Sequence, residues 1–379
     1  MKRKSTNILI LINSNFLLYF LKFNLSLWFI LPNVLKAFPE TVRHGYLSCT
    51  TCHLSPSGRG ILTPYGKTLS HELYSYKKIK NESESLESEV PWWQIGGRSR
   101  LMQLIEDTPA IQEGHFFPMQ TELEASIDKE VWALGLSAGG WRPIDEEKES
   151  LKAYVRNAYI LWRPNETWNV RAGKFRISHG LGLPDHVILV NEWLGWSHSH
   201  ETQNIEVSRL MDDLVLQGSW ILPSKLLVSE DTFSGVSLNL ERLLNSKHKI
   251  GFNVSSFRRN NLNEIQLNLH SIASLNEKSF VQMELARRSL SKPVSEDEYA
   301  LFTRFSHEIK YGLRPFVQWE EALSKAVNSS EGVSQARRYY VGSEWFPVVH
   351  ADIMVALGNQ MESGLDDTKI FTLIGHFYF

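Results

Sequence analysis

From Trp92 to the C-terminal Phe379, apolar and polar residues alternate with a period of two. Such alternation is typical of β-strands that present one apolar face, and no helix longer than two turns is predicted in this region. Within residues 154–161, the pattern predicts that the odd-numbered side chains (155, 157, 159 and 161) share one face and the even-numbered ones the other. The region is therefore expected to be all-β.

Sixteen strands of ordinary length can be marked along this region. The predicted strands cover approximately residues 92–105, 117–127, 131–140, 151–163, 167–176, 204–210, 213–222, 235–242, 248–258, 263–273, 278–290, 298–309, 313–321, 336–346, 350–360 and 369–379.

The connections between these strands alternate in length. Short ones such as 128–130 and 164–166 are followed by longer polar ones such as 141–150 and 177–203, and only 259–262 breaks the order. An even number of strands, with short turns on one side and long loops on the other, is typical of an outer-membrane barrel. The competing interpretation is a soluble β-sandwich or lipocalin-like barrel, in which loop lengths seldom alternate so regularly. We therefore predict a 16-stranded antiparallel transmembrane β-barrel over residues 92–379.

Two further features agree with a membrane barrel. The last strand ends on Phe379 and resembles the C-terminal insertion signal of bacterial outer-membrane proteins. Eleven of the twelve tryptophans lie at or beyond Trp92, and an aromatic girdle requires such residues near strand ends. The tryptophans predicted to lie near strand ends are Trp162, Trp168, Trp220 and Trp345. Outer-membrane lipid is thus an expected partner.

Residues 1–37 have the pattern of a signal peptide: a basic start, a mainly apolar run and a small residue, Ala37. An uncleaved membrane anchor is the alternative, but Lys22 would place a charge in mid-span. Five of the 40 Lys and Arg residues and none of the 42 acidic residues lie in this stretch, so cleavage leaves a formal net charge of −7. We expect no nucleic-acid partner, because this charge is not that of a basic nucleic-acid surface.

The only two cysteines of the chain fall in the sequence Cys49-Thr50-Thr51-Cys52-His53. This is C-x-x-C-H, the attachment signature of c-type haem. The two thiols can form thioethers with the haem vinyl groups, and His53 is then the proximal iron ligand. A redox C-x-x-C pair and half of a zinc site are the alternatives. The first lacks a thioredoxin-like context and the second needs further ligands. We predict one covalent haem c, which also requires export.

Residues 38–80 are predicted to form a small monohaem cytochrome c segment, and the Ser/Glu-rich residues 81–91 a linker. A covalently attached haem would supply much of the apolar centre of so short a segment. His71, on a possible short helix, is the first candidate for the distal iron ligand. His44, a ligand from elsewhere in the chain and an open position remain alternatives.

The longest connection, residues 177–203, concentrates histidines with carboxylates. Such a mixture could bind iron or another transition metal, or supply the distal haem ligand. A polar surface loop without such a role is the alternative. By analogy with general porins, this third external loop would fold into the barrel. The candidate metal-binding histidines are His179, His186, His198 and His200.

An exported monohaem segment followed directly by a barrel resembles the fused outer-membrane cytochrome–porins of iron(II)-oxidising bacteria. The resemblance rests on residues 45–53 (GYLSCTTCH), on Tyr65-Gly66, on the order of the segments and on the sixteen-strand count. It implies that Cys49 and Cys52 hold the haem, that His53 is the proximal ligand, and that the haem takes electrons across the outer membrane. The turn over residues 55–60 has no place in that pattern.

The sequence therefore predicts an outer-membrane electron-transfer protein with one covalent haem in or under the barrel. Iron(II) at the cell exterior is the leading donor, which would make the protein an iron(II)-oxidising oxidoreductase, and a periplasmic cytochrome or other soluble electron carrier is the expected partner. A diffusion porin whose haem-bearing plug is a gate or sensor is the alternative function. A third possibility is a periplasmic electron carrier that the barrel merely anchors.

Overall fold

The structure is a computed structural model. It describes residues 49–58, 61–63, 65–66, 69, 92–141, 152–183, 188–196, 201–225, 232–245, 247–260, 262–291, 296–326, 334–348 and 350–378. The predicted signal peptide, the linker and most of the predicted cytochrome segment, including His44 and His71, lie outside the described residues.

Sixteen antiparallel strands close into one barrel, as the sequence predicts. The strands are β1 (Trp93–Asp107), β2 (Gln112–Lys129), β3 (Trp132–Trp141), β4 (Lys152–Trp162), β5 (Trp168–Phe175), β6 (Thr202–Leu210), β7 (Leu214–Lys225), β8 (Thr232–Leu244), β9 (His248–Arg259), β10 (Leu262–Ser274), β11 (Ser279–Ser291), β12 (Glu296–His307), β13 (Leu313–Ala326), β14 (Ser334–Val348), β15 (Ala351–Glu362) and β16 (Thr368–Tyr378).

Each strand pairs with its neighbours in the sequence, and the barrel closes where β1 pairs with β16. That pairing runs in continuous register from Arg98 opposite Tyr378 to Asp107 opposite Lys369. A closed barrel has no free strand edge, so every strand can pair its backbone polar groups on both sides. The C-terminal strand therefore completes the barrel.

The connections define two ends of the barrel. We call the end with the turn 128–131 the short-turn end and the end with residues 176–201 the long-loop end. The alternation of loop lengths is confirmed, with one difference: β2 begins at Gln112, so the first long connection shortens to 108–111. The predicted exception at 259–262 is also confirmed, because a tight turn joins β9 and β10 at the long-loop end. In this turn Asn260 has a φ of 52°.

The outer surface of the barrel is apolar. Leu123, Leu238 and Val341, each on a different strand, are more than three-fifths exposed, whereas inward positions beside them hold buried polar residues such as Glu124 and Asn239. This is the reverse of a soluble protein and is the arrangement that a lipid-facing barrel requires. No helix in the described part of the chain is long and apolar enough to span a membrane.

Exposed tryptophans mark the short-turn end. Trp132 and Trp162 are cross-strand neighbours there, and Trp168 and Trp345 lie near the same end of their strands. The prediction of an aromatic girdle is confirmed for these residues. Trp220 is also exposed, but it lies in the middle of β7 rather than near a strand end.

The predicted facing of residues 154–161 is only half right. The register of β4 against β3 shifts between Ser137 and Ala138. A bulge adds one residue and reverses the alternation beyond it. Tyr159 and Leu161 share the inward face, as predicted for odd-numbered residues. Before the bulge the order is reversed: Tyr154 faces inward and is buried, and Val155 faces outward.

A charge placed on the lipid-facing side should destabilise the barrel strongly. Leu238 lies at the centre of β8 and is 61% exposed, and Leu365, in the connection before β16, is 66% exposed. We expect Leu238→Arg to lower the free energy of unfolding from lipid vesicles by about 2–4 kcal/mol, because the guanidinium would enter the hydrocarbon. Leu365→Arg is the matched control and should change it by less than about 0.5 kcal/mol. Equal effects of the two variants would contradict a lipid-facing position for Leu238.

Candidate functional site

The C-x-x-C-H sequence forms a single tight turn. A 3₁₀ turn covers Cys49–Thr51, and the carbonyl oxygen of Cys49 accepts hydrogen bonds from the backbone N–H of Cys52 at 3.2 Å and of His53 at 2.8 Å. The two thiols and the imidazole thus come from one turn of backbone.

The chain then folds back over this turn. The backbone N–H of Leu54 donates to the carbonyl of Ile61 at 3.1 Å, and that of Thr63 donates to the carbonyl of Cys52 at 2.9 Å. Gly58 lies against the motif with a φ of +70°, and a Cβ at that position would approach the Cys49 Sγ to 3.2 Å. Glycine therefore suits this turn both in conformation and in size.

The thiol chemistry does not favour a redox C-x-x-C pair. Cys49 and Cys52 are not joined in a disulfide. Burial, together with the charge of Cys49, raises the pKa of the Cys52 thiol to about 11. Reactive redox cysteines have lowered pKa values, because the thiolate is the nucleophile.

Arg171 of β5 holds the turn that follows the motif. Its guanidinium donates to the Ser55 Oγ at 2.6 Å, to the Ser57 Oγ at 3.0 Å and to the Glu206 Oε1 at 2.8 Å. The Arg171 side chain is 1% exposed, and its guanidinium carbon lies 3.6 Å from the centre of the Phe175 ring. The guanidinium thus has one carboxylate partner and two hydroxyl acceptors, which all bind its terminal nitrogens, while its Nε is buried without a hydrogen-bond partner among the described residues.

Further contacts join the same turn to the inner wall. Leu54 packs in a buried cluster with Ala133 and Leu161 near the short-turn end. The side chain of Gln217 on β7 donates to the carbonyl oxygen of Pro56 at 3.2 Å. The Ser57 hydroxyl donates to the carbonyl of Arg176 at 3.2 Å, just beyond the end of β5. Residues 54–57 thus contact inward-facing groups of β3, β4, β5 and β7.

The third long connection also folds into the barrel, which confirms the expectation drawn from general porins. Its one-turn helix α1 (Leu189–Trp193) packs against β11, β12 and β13. The backbone N–H of Leu189 donates to Glu320 at 2.5 Å, and that of Leu181 donates to Glu284 at 2.9 Å. Apolar residues of this loop, Trp196 among them, pack with apolar residues of the barrel wall. They form the largest buried cluster among the described residues.

Of the four candidate loop histidines, the structure describes only His179. It is buried, its ring stacks on Trp196 at 4.5 Å, and its Nδ1 lies 3.1 Å from the Asn253 Oδ1. His186, His198 and His200 lie outside the described residues. Within the described part of the chain, no three His, Cys, Asp or Glu side chains come close enough together to hold a metal ion. A metal site formed by these loop histidines therefore stays a prediction.

The inner wall of the barrel carries charged side chains. Arg156, Arg171 and Arg304 face inward and contact Glu122, Glu206 and Glu344 respectively. Arg258, by contrast, lies on the outward face at the long-loop end of β9, where its Nε donates to the Asn260 carbonyl at 3.3 Å.

An open cavity remains on the opposite side of the barrel from the motif. It lies against β1 and β12 to β16, and its walls include Met102, Leu104, Met354 and Arg338. Ile188 of the third long loop borders it as well. The loop and the turn after the motif therefore fill one side of the barrel and leave space on the other.

Sequence reasoning missed the residues that hold the motif. Arg171, Glu206 and Gln217 are ordinary polar positions of alternating strands, and nothing local distinguishes them from the many other polar residues of the inner wall. Residues 55–57, which Arg171 and Gln217 contact, are more than a hundred positions away in the chain. Only an unusual feature, a serine-rich turn directly after C-x-x-C-H, hinted that this stretch has a binding partner.

No family model matches this chain, and no curated protein matches it. Solved structures do match. OmpT, an outer membrane protein of Vibrio cholerae, is 9% identical with a TM-score of 0.60, and the match covers 77% of this chain and 99% of that one. The outer membrane channel DcaP of Acinetobacter baumannii is 10% identical (TM-score 0.57, 76% and 97%). Salmonella typhi OmpF, in a complex with daunomycin, is 12% identical (TM-score 0.57, 75% and 97%). At these identities the likeness concerns the fold alone: residues 92–378 form a porin-like 16-stranded barrel.

Proposed function

We propose that this protein is an electron-transfer protein of the bacterial outer membrane that carries one covalent haem c inside its barrel. Cys49 and Cys52 would hold the haem, and His53 would be its proximal ligand. The observation that carries the proposal is the contact of Arg171 with Ser55 and Ser57, which ties the C-x-x-C-H turn to the inner wall.

The donor set fits a covalent haem. Two thiols and an imidazole project from one turn of backbone. The glycine at position 58 has no side chain that would crowd the Cys49 Sγ or the His53 ring on that side. A bound haem would supply reversible one-electron chemistry at its iron. The chain's own residues bind and orient it, and the apolar contacts of Leu54 limit the access of water to the segment.

The position of the haem inside the barrel matters for electron transfer. The apolar band of an outer-membrane barrel is about 25 Å tall, so a haem held below the barrel would be a full membrane thickness from any external donor. Residues 54–57 contact the wall from Leu161, near the short-turn end, to Arg176, beyond the end of β5. With the short turns in the periplasm, electrons entering from outside would leave towards a periplasmic cytochrome or other soluble carrier.

A diffusion porin with a haem-bearing plug is the second candidate, and the open cavity along β12 to β16 favours it. In that case solutes would pass along the wall opposite the motif, and the segment would act as a gate or a sensor. The two functions differ in what they predict for the intact barrel: the electron-transfer protein conducts ions poorly, whereas the porin conducts them well.

The deciding experiment is a redox difference spectrum of the detergent-purified protein before and after anaerobic addition of iron(II), combined with conductance in planar bilayers. We expect a c-type α-band to appear with iron(II) and the conductance to be low. A band that appears only with dithionite would exclude iron(II) as the direct donor. The absence of a band under both conditions would overturn the proposal, and high conductance with no response to iron(II) would favour the porin.

A further inference from the structure

His179 is a buried imidazole with one nitrogen fixed and the other unused. The residue is 9% exposed, and its ring is held between the Trp196 ring, 4.5 Å away, and Asn253, whose Oδ1 is 3.1 Å from Nδ1. Its Nε2 is buried and has no hydrogen-bond partner among the described residues. Buried polar atoms are usually paired with protein groups, ordered water or a bound ion, so Nε2 has the capacity to bind one further partner.

The contacts of Asn253 determine which nitrogen carries the proton. The Asn253 Nδ2 donates to the Ser237 Oγ at 3.0 Å and to the Ser178 carbonyl at 3.3 Å, so Oδ1 is the atom that faces His179. An amide oxygen only accepts, and Nδ1 of His179 must therefore donate. The lone pair is left on Nε2. A histidine whose one N–H is held by an oxygen acceptor, with the other nitrogen free, has the arrangement of a metal ligand.

Several contacts bring this histidine to the side of the barrel where the motif lies. Ser57, next to the glycine that borders the His53 ring, donates to the carbonyl of Arg176 at 3.2 Å. Arg176 in turn donates from Nη2 to the Trp196 carbonyl at 2.8 Å, and Trp196 stacks on His179. The loop and the C-x-x-C-H turn are therefore joined through one arginine.

A second route, along β9, gives the same placement. Cys49 lies close enough to Lys249 to interact with it electrostatically, and Asn253, which holds His179, lies four residues further along that strand. Inward positions two apart on a strand are about 6.6–6.8 Å from each other. His179 is thus placed further towards the long-loop end than the cysteines, on the same side of the barrel.

We propose that Nε2 of His179 is the distal axial ligand of the haem iron, opposite His53. This inference rests on the proposed attachment of haem at Cys49 and Cys52. It assigns the sixth position to the inward-folded third loop rather than to the cytochrome segment, where His71 and His44 are the alternatives. The loop would then join the haem to the long-loop end of the barrel.

The test uses the full-length protein matured with its haem and purified from the outer membrane. Covalent haem content is measured by the pyridine haemochrome method, and the iron spin state by electron paramagnetic resonance of the ferric protein. We expect His179→Ala to retain the haem but to convert low-spin to high-spin iron, and added imidazole to restore the low-spin signal. His115→Ala, at a half-exposed barrel histidine, is the matched control and should leave the spectrum unchanged.

A second variant keeps the inference falsifiable if the alanine variant folds poorly. Methionine fills a buried site without a charge, and a methionine axial ligand raises the reduction potential relative to histidine. His179→Met should therefore stay low-spin and shift the midpoint potential upwards. An unchanged potential in His179→Met, or an unchanged low-spin signal in His179→Ala, would overturn the assignment, as would loss of the low-spin signal in His71→Ala. Wild-type protein without covalent haem would instead refute the proposed function.

Discussion

The double variant Cys49→Ser/Cys52→Ser should lose its covalent haem completely while the barrel still folds. A hydroxyl cannot form the thioether with a haem vinyl group, and serine is close in size to cysteine. The contacts that hold the turn involve Ser55, Ser57 and Pro56 rather than the thiols, so we expect the segment to stay in place. Haem staining after denaturing electrophoresis and the intact mass measure the loss.

The control for this variant lies inside the same turn. Thr50→Ser/Thr51→Ser changes the two residues between the cysteines and leaves both thiols, so its haem content and its α-band should equal those of the wild type. A double cysteine variant that still carried covalent haem would contradict the attachment site. Equal haem loss in the threonine variant would show that the turn conformation, not the thiols, is what the substitutions disturb.

The second large effect is expected when the contact between Arg171 and Glu206 is removed by substitution. Arg171→Met alone leaves the Glu206 carboxylate buried without its cation, which costs about 3–5 kcal/mol. Arg171→Met/Glu206→Gln removes that unpaired charge but also removes the hydrogen bonds to Ser55 and Ser57. Hydrogen bonds to a charged group contribute about 1.5–3 kcal/mol each. We therefore expect the double variant to release the segment from the inner wall and to raise the ion conductance several-fold.

Single-channel recording in planar bilayers measures this release. Arg242→Met is the matched control, because Arg242 and Asp213 form an ion pair that is more than half exposed, and such pairs contribute little to stability. Its conductance should equal that of the wild type. Should the double variant conduct no better than the wild type, the segment would not obstruct the barrel, and a haem exposed only at the short-turn end would become the better description.

The contact also predicts which part of the site is rigid. Ser55 and Ser57 are held by a guanidinium that is itself fixed by Glu206 and by the Phe175 ring. The carboxylate of Glu206 receives a further hydrogen bond from Ser219 at 3.1 Å. Such a connected polar network restricts each member to one geometry. The residues after the motif are consequently positioned by the barrel rather than by their own short sequence.

Much of the architecture followed from the sequence because its physical causes are local. A strand with one lipid-facing side must alternate with a period of two, and that pattern gave all sixteen strands in the right places. The alternation of short and long loops is likewise visible in the sequence, although the exact length of a loop, as between β1 and β2, is not. The orientation of the Tyr154 and Val155 side chains could not be predicted in this way. A one-residue bulge against β3 reverses the alternation, and no nearby residue indicates that bulge.

The sequence by itself determined the barrel class, the number of strands and the unusual C-x-x-C-H stretch, since each depends on residues that are neighbours along the chain. Only the tertiary structure decided that Arg171 holds the turn after the motif and that Asn253 and Trp196 hold His179 in a buried position. The contacts of Arg171 with the turn and of Asn253 with His179 join residues from about 70 to more than 110 positions apart. Closure of the barrel is what brings such residues together, because it fixes which inward-facing side chains share the same height and the same side of the enclosed space.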